Sequence, residues 1–132
     1  MNGTLTVNGV ISANGASASC FPGCGSGGSI WLIAGTLQGS GSISANGGSG
    51  PSDGEGGGGG GGRIAIYYAN APAFNFASQV TALGGGPFNL TASGQIGGGA
   101  GTIYTKAASQ SVGSVLVENG GNSGMLTPLT SP

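Results

Sequence analysis

The chain has 132 residues, the length of one domain, and 33 of them are glycine, against a usual share of about 7%. Two residues are basic, three are acidic and none is histidine, so the formal net charge is −1. Two cations cannot neutralise a nucleic-acid backbone, and three carboxylates without histidine offer little for acid–base catalysis or metal binding. We therefore predict one domain, 1–132, that is not an enzyme, has no cofactor and binds no nucleic acid.

Two nearby cysteines and the low charge suggest where the protein resides. Cys20 and Cys24 are separated by three residues that include proline and glycine, which form turns able to bring two sulfur atoms together. A loop disulfide and two free thiols both fit this spacing, whereas a zinc site lacks the four ligands it needs. The longest apolar run, residues 30–34, is too short to span a membrane. We expect an extracellular or cell-surface location, where disulfides persist.

The first predicted elements belong to a repeat. Residues 3–15 align without a gap with residues 35–47, at an offset of 32, and weaker copies begin at Phe74 and Ser114. A second motif, which starts at Gly28, alternates with the first, so each unit is a strand, a glycine-rich insert and another strand. The predicted repeats are approximately 3–34, 35–69, 70–107 and 108–120, followed by a C-terminal tail, 121–132.

Apolar and polar residues alternate within these repeats. In the first copy Leu5, Val7 and Ile11 fall on one face, and Thr4 and Thr6 fall on the other. This period of two predicts strands with one buried face, and no stretch has the spacing of an amphipathic helix. The fold class predicted from the pattern is all-β.

Equivalent residues of successive repeats would lie above one another. Such stacking predicts a parallel β-solenoid of about three to four coils, with the glycine-rich inserts on one side. An antiparallel sandwich of hairpins is the alternative, but it does not require the same residue type at the same place in each unit. The predicted columns are Leu5, Leu37 and Phe74; Ile11, Ile43, Val80 and Val115; Ala13, Ala45, Ala82 and Val117; and Ile30, Ile64 and Ile103.

Several of these segments resemble a known class of repeats. Residues 27–32, 41–48 and 98–104, and the polyglycine run that leads into residues 63–67, resemble glycine-rich repeats of large bacterial secreted and surface proteins. Those repeats are thought to form parallel β-helices. The resemblance implies a structural or adhesive role at a surface and no catalytic residues.

The glycine-rich inserts permit two interpretations. The middle insert contains seven consecutive glycines, residues 56–62. They could form a flexible loop, because polyglycine loses the most entropy on ordering. Alternatively, neighbouring inserts could pack as extended polyproline-II-like segments hydrogen-bonded to each other, since only glycine permits such a close approach. Asp53 and Glu55, in the same insert, are interpreted as solvated loop charges.

The second strand of each repeat points aromatic and apolar side chains outward. We predict a lateral interface formed by Trp31, Ile33, Tyr67 and Tyr104, because exposed apolar columns mark covered surfaces. The cover could be the chain's own inserts or a neighbouring copy, and stacking on sugar rings is a further possibility.

The ends of the stack predict self-association. Val115 and Val117 of one copy would dock beneath Leu5, Val7 and Ile11 of the next, a heterologous contact that propagates into a filament. The leading hypothesis is thus an extracellular structural protein, a homopolymer of head-to-tail copies or a segment of a surface array. The alternatives are an adhesin-like module that binds glycan or a cell surface and, third, an ice-binding protein.

Overall fold

A computed structural model of the chain describes residues 3–17, 23–50, 56–86 and 97–127. These residues form eight strands, which are arranged in two sheets, and one short helix. The elements in chain order are β1 (Thr4–Thr6), β2 (Val10–Ser12), β3 (Ser29–Gln38), β4 (Ser42–Ser44), β5 (Arg63–Asn70), α1 (Phe76–Gln79), β6 (Val80–Thr81), β7 (Thr102–Ala107) and β8 (Ser114–Leu116).

The larger sheet has five strands in the order β1-β3-β5-β7-β8, and the smaller has three in the order β2-β4-β6. All neighbouring strands are parallel except β7 and β8, which are antiparallel. Strands adjacent in a sheet come from successive repeats, so every parallel pair is connected through a long crossover that contains a glycine-rich insert.

The pairing confirms the register predicted for the parallel strands. Leu5 pairs with Leu37, and Ile43 pairs with both Ile11 and Val80. Ile64 pairs in the same way with the two other isoleucines of its predicted column. Residues that align between successive repeats therefore lie side by side on adjacent strands.

The predicted fold class, an all-β parallel solenoid of three to four coils, is wrong. The structure is a mixed α/β arrangement in which 36% of the described residues are strand and 4% are helix, and the two sheets do not close into a solenoid. Most strands are only two or three residues long, and the last pair of the larger sheet is antiparallel.

Local interactions explain the helix in the third repeat and the antiparallel strand in the fourth. In the third repeat the side chain of Asn75 accepts a hydrogen bond from the backbone nitrogen of Ala77, 3.1 Å away, and caps α1. This helix occupies positions predicted as strand. In the fourth repeat Ser114 pairs with Thr105 on β7, so the predicted placement of Val115 above Val80 in the smaller sheet is also wrong.

The hydrophobic core combines side chains from both sheets. Leu37, Ile64 and Ile66 of the larger sheet and Ile43 of the smaller are at most 2% exposed, and Val80 is 3% exposed. Ala45 and Ala82, which follow β4 and β6, are buried in the same cluster. These inward-facing side chains thus pack in the core, as their alternation with a period of two predicts.

Six glycine-rich segments form a second ordered body beside the sheets, which we call the glycine bundle. One layer follows β2, β4 and β6, and the other precedes β3, β5 and β7. The segments are residues 13–17, 45–50 and 82–86 in the first layer and 23–28, 56–62 and 97–101 in the second.

Hydrogen bonds run alternately between the two layers of the bundle. The backbone nitrogen of Gly48 donates to the oxygen of Gly25, Gly59 to Gly48, and Gly85 to Gly59, at 2.8–2.9 Å. Bonds within each layer, such as Gly61 to Gly99, complete the network. Of the two interpretations of the inserts, hydrogen-bonded packing of extended segments is the one confirmed for the described residues.

Close approach, not an unusual backbone angle, makes glycine necessary in the bundle. A Cβ at Gly59 would overlap the backbone oxygen of Gly25, and one at Gly98 would overlap the oxygen of Gly59. Neither glycine has a positive φ. The residue is therefore needed for its missing side chain rather than for its conformational freedom.

Candidate functional site

The outward side of β3, β5 and β7 carries the side chains with the most capacity to bind a ligand. Strand register arranges them in three rows across the sheet. We call this surface the outer face. Its rows are Ser29, Arg63 and Thr102; Trp31, Ala65 and Tyr104; and Ile33, Tyr67 and Lys106.

Three aromatic rings form a continuous cluster on the outer face. The ring centroids of Trp31 and Tyr67 are 6.2 Å apart, and those of Tyr67 and Tyr104 are 5.5 Å apart, both in tilted arrangements. These distances lie in the range of favourable aromatic pairs. Trp31 is 73% exposed and the two tyrosines are half-buried, so the cluster presents ring surface to solvent.

The turn before β8 fixes one of these rings. Gly113 lies so close to the ring of Tyr104 that a Cβ at this position would overlap it. Since β8 pairs with the strand that carries Tyr104, the antiparallel return of the chain supports the edge of the cluster. The four residues predicted as a lateral interface, which are Trp31, Ile33, Tyr67 and Tyr104, thus lie together on one face, while their role as an interface remains a prediction.

Both cations of the protein lie on the outer face, a placement that the sequence pattern had not predicted for Arg63. Arg63 and Lys106 are the only basic residues in the sequence. The guanidinium of Arg63 is 3.4 Å from the hydroxyl of Ser29. Among the described residues the only acidic side chain is Glu118, which is exposed beyond β8 and not on this face. The described charged side chains of this face are therefore both cationic, and they accompany its aromatic rings.

A groove adjoins the third row of the outer face. Its volume is about 280 Å³, and Ile33, Tyr67 and Lys106 line it together with small side chains such as Ala69. The ammonium group of Lys106 is consequently beside an apolar depression. This combination suits a ligand that has both an apolar surface and a negative charge.

The end of the sheets formed by β1 and β2, the β1–β2 end, exposes apolar side chains. Leu5 and Ile11 are half-buried and Val10 is 71% exposed. Val7, predicted as a contact residue, is only 4% exposed and belongs to the core. Within the described residues no strand pairs with the outer edge of either β1 or β2.

The opposite end, formed by β8 and α1, is the β8 end. Val115 and Val117 are 58% and 36% exposed. An apolar groove of about 330 Å³ lies here between the helix and the strand, and its wall includes Phe76, Ile103 and Leu116. The residues predicted for self-association therefore lie at the two ends, although Val7 is buried and Val115 is on the larger sheet rather than the smaller.

The remaining candidate residues fall partly outside the described chain. Cys24 is half-buried in the glycine bundle, whereas Cys20, Asp53 and Glu55 lie outside the described residues. The loop disulfide thus stays a prediction. In the part of the chain that the structure describes, no three potential metal-ligating side chains come together.

Comparisons with known proteins find no relative of this chain. No family model, no curated protein and no solved structure matches this chain. Among the described residues, none of the helical structure is long and apolar enough to cross a bilayer. Inference about function therefore depends on the chain's own surfaces.

Proposed function

We propose that this chain is a non-catalytic structural protein of the extracellular space or cell surface that associates end to end with further copies of itself. The observation that carries the proposal is the exposure of apolar side chains at both the β1–β2 end and the β8 end. Its low charge and its pair of nearby cysteines support the location.

The β1–β2 end supplies a projecting apolar side chain and strand edges. Val10 is 71% exposed, an unusual exposure for a β-branched residue in a strand. β1 and β2 are the terminal strands of their sheets, and the edge of a sheet presents N–H and C=O groups to which another chain can pair.

The β8 end supplies a matching depression. The groove there has a volume of about 330 Å³ and apolar walls, which is room for an aliphatic side chain. Val115 is 58% exposed beside it, and β8 is likewise the terminal strand of the larger sheet. Seating Val10 of one copy in the groove of the next would remove apolar area from water at both surfaces.

Because the two ends differ, their contact is heterologous. A heterologous contact that does not close into a ring extends into a filament. The edge strands involved are only three residues long, and short edge strands are a means of limiting sheet-to-sheet pairing. We therefore expect association that is reversible and depends on concentration.

Sedimentation velocity over a range of concentrations tests the proposal. A chain of 12.3 kDa should form species larger than a monomer, and their fraction should rise with concentration. Val10→Lys should shift the distribution towards the monomer, since it places a charge where the neighbouring copy would pack. Leu116→Lys, which changes the groove at the other end, should have the same effect.

The matched control is Ala73→Lys, which adds the same charge in the exposed turn between β5 and α1. This variant should associate like the unmodified chain. A monomer at every concentration would contradict the proposal, as would equal association of the unmodified chain and both end variants. Circular dichroism of each variant shows whether a lost association reflects a lost fold.

A further inference from the structure

We propose that the outer face binds an acidic polysaccharide, a polymer whose sugar rings carry carboxylate groups. This inference goes beyond self-association, because it uses the side of the larger sheet rather than its ends. It follows from the placement of three aromatic rings and both cations of the chain on one face.

The aromatic cluster provides the surface for the sugar rings. The C–H groups on one side of a pyranose ring are weakly positive and pack on the electron-rich face of an aromatic ring. The centroids of Trp31, Tyr67 and Tyr104 follow one another at 6.2 and 5.5 Å. A series of rings along one direction suits a polymer better than a single small molecule.

The cations lie beside this cluster, Arg63 on the central strand β5 and Lys106 on β7. Arg63 pairs with Thr102, and Lys106 lies four residues further along the same strand as Thr102, which corresponds to about 13 Å at about 3.3 Å per residue. Trp31 and Tyr104 occupy the row between these levels. A saccharide that crosses the rings from β3 to β7 would therefore pass Arg63 on the central strand and meet Lys106 near the Tyr104 end of the cluster.

Charge makes a polysaccharide with separated carboxylates a better occupant than the alternatives. A second copy placed face to face would bring Arg63 and Lys106 against the same two cations. A nucleic acid carries a phosphate on every nucleotide and needs a continuous basic surface, which two cations do not provide. A neutral glucan would use the rings but offer no carboxylate to either cation.

Titration of the protein with an oligomer of galacturonate tests the inference. Trp31 is the only tryptophan in the chain, so binding over the cluster should change its fluorescence in a saturable way. The apparent Kd should rise with added salt, because exposed charge pairs are screened. A neutral glucan of the same length should bind more weakly.

Variants measured by calorimetry identify the contacts. Trp31→Ala should weaken binding about tenfold or more, as expected for the loss of a large aromatic contact. Lys106→Gln and Arg63→Gln should each weaken it about threefold and reduce its salt dependence, in keeping with exposed charge pairs. Glu118→Gln is the matched control, since it removes an exposed charge away from the outer face, and it should not weaken binding.

Four results would overturn the inference: no binding to the galacturonate oligomer, equal binding to the neutral glucan, tighter binding to a single-stranded oligonucleotide, or a dimer whose formation is lost in Trp31→Ala. Repeating the titration with Val10→Lys separates this inference from the proposed function. That variant should bind the oligomer even though it no longer associates.

Discussion

The side-chain oxygen of Asn46 accepts a hydrogen bond from the backbone nitrogen of Leu83, 2.8 Å away in the next repeat. Asn14 accepts in the same way from the nitrogen of Asn46, and Asn119 from that of Gly84, both at 2.7 Å. An asparagine thus follows β2, β4 and β8, and each one accepts a bond from a backbone nitrogen of a neighbouring repeat. The side-chain oxygen of each asparagine thus accepts a hydrogen bond from a backbone N–H group that has no backbone acceptor in the described part of the bundle.

Removing one of these amides should destabilise the protein. Asn46→Ala leaves the nitrogen of Leu83, which is half-buried, without its acceptor. We expect the free energy of unfolding to fall by about 1–3 kcal/mol, the cost of an unsatisfied backbone donor, as measured by urea denaturation. Asn122→Ala, in an exposed turn, should change it by less than about 0.5 kcal/mol. Equal effects would show that the amide of Asn46 has no structural role.

Two adjacent glycines should respond oppositely to the same substitution. A Cβ at Gly59 would overlap the oxygen of Gly25, whereas a Cβ at Gly60 has only the oxygen of Gly99 nearby, at 3.9 Å. Gly59→Ala should cost about 2 kcal/mol or more through overpacking. Gly60→Ala should be neutral or stabilising by up to about 1 kcal/mol, because it restricts the unfolded chain.

Thermal denaturation of both variants measures this difference. If Gly59→Ala melts at the temperature of the unmodified protein, the close packing of the bundle is not present in solution.

Amide hydrogen exchange should reveal the bundle directly. Gly59, Gly61 and Gly62 donate backbone hydrogen bonds to neighbouring segments, so their exchange should be slowed far below that of an exposed turn residue such as Gly121. Nuclear magnetic resonance resolves these glycines individually. Exchange of all three at the rate of Gly121 would mean that residues 56–62 form a flexible loop.

Substitution of two glycines that have positive φ distinguishes the cost of backbone strain from the cost of a steric clash. Gly39 has a φ of +115° and faces the backbone of Val7, whereas Gly121 has a φ of +79° and no heavy atom within 4 Å of the place that a Cβ would take. Gly121→Ala should cost about 1–2 kcal/mol, the penalty of the left-handed region. Gly39→Ala should cost more, since it adds a clash to the strain. Chemical denaturation compares the two, and equal losses would rule out the clash.

Side-chain periodicity carried most of the information on strand pairing. Leu5 with Leu37 and Ile11 with Ile43 follow from an ungapped offset of 32 residues, because parallel strands of equal repeats align like residues. The same alternation at Val115 led to a wrong placement, since a period of two is identical for parallel and antiparallel strands. The direction of β8 depends on the preceding turn, where Gly113 packs on Tyr104.

The helix and the outer face show two further limits of prediction from the sequence. Asn75 is a common helix N-cap residue, and its backbone nitrogen donates to the side chain of Gln79, so a local signal for α1 existed. The rows of the outer face were predicted in part, whereas the predicted lateral interface did not include Arg63. Aligning it with Ser29 would have placed both cations on one face.

The glycine bundle also bears on how the protein responds to temperature. Its segments are held by amide hydrogen bonds and consist largely of glycine, which has no side chain to bury. The heat capacity of unfolding arises mainly from newly hydrated hydrocarbon, with a contribution of opposite sign from peptide groups. The heat capacity change per residue should therefore be smaller than in an ordinary domain of this length. A small heat capacity change flattens the stability curve, so cooling should weaken this fold less than it weakens one held mainly by a hydrophobic core.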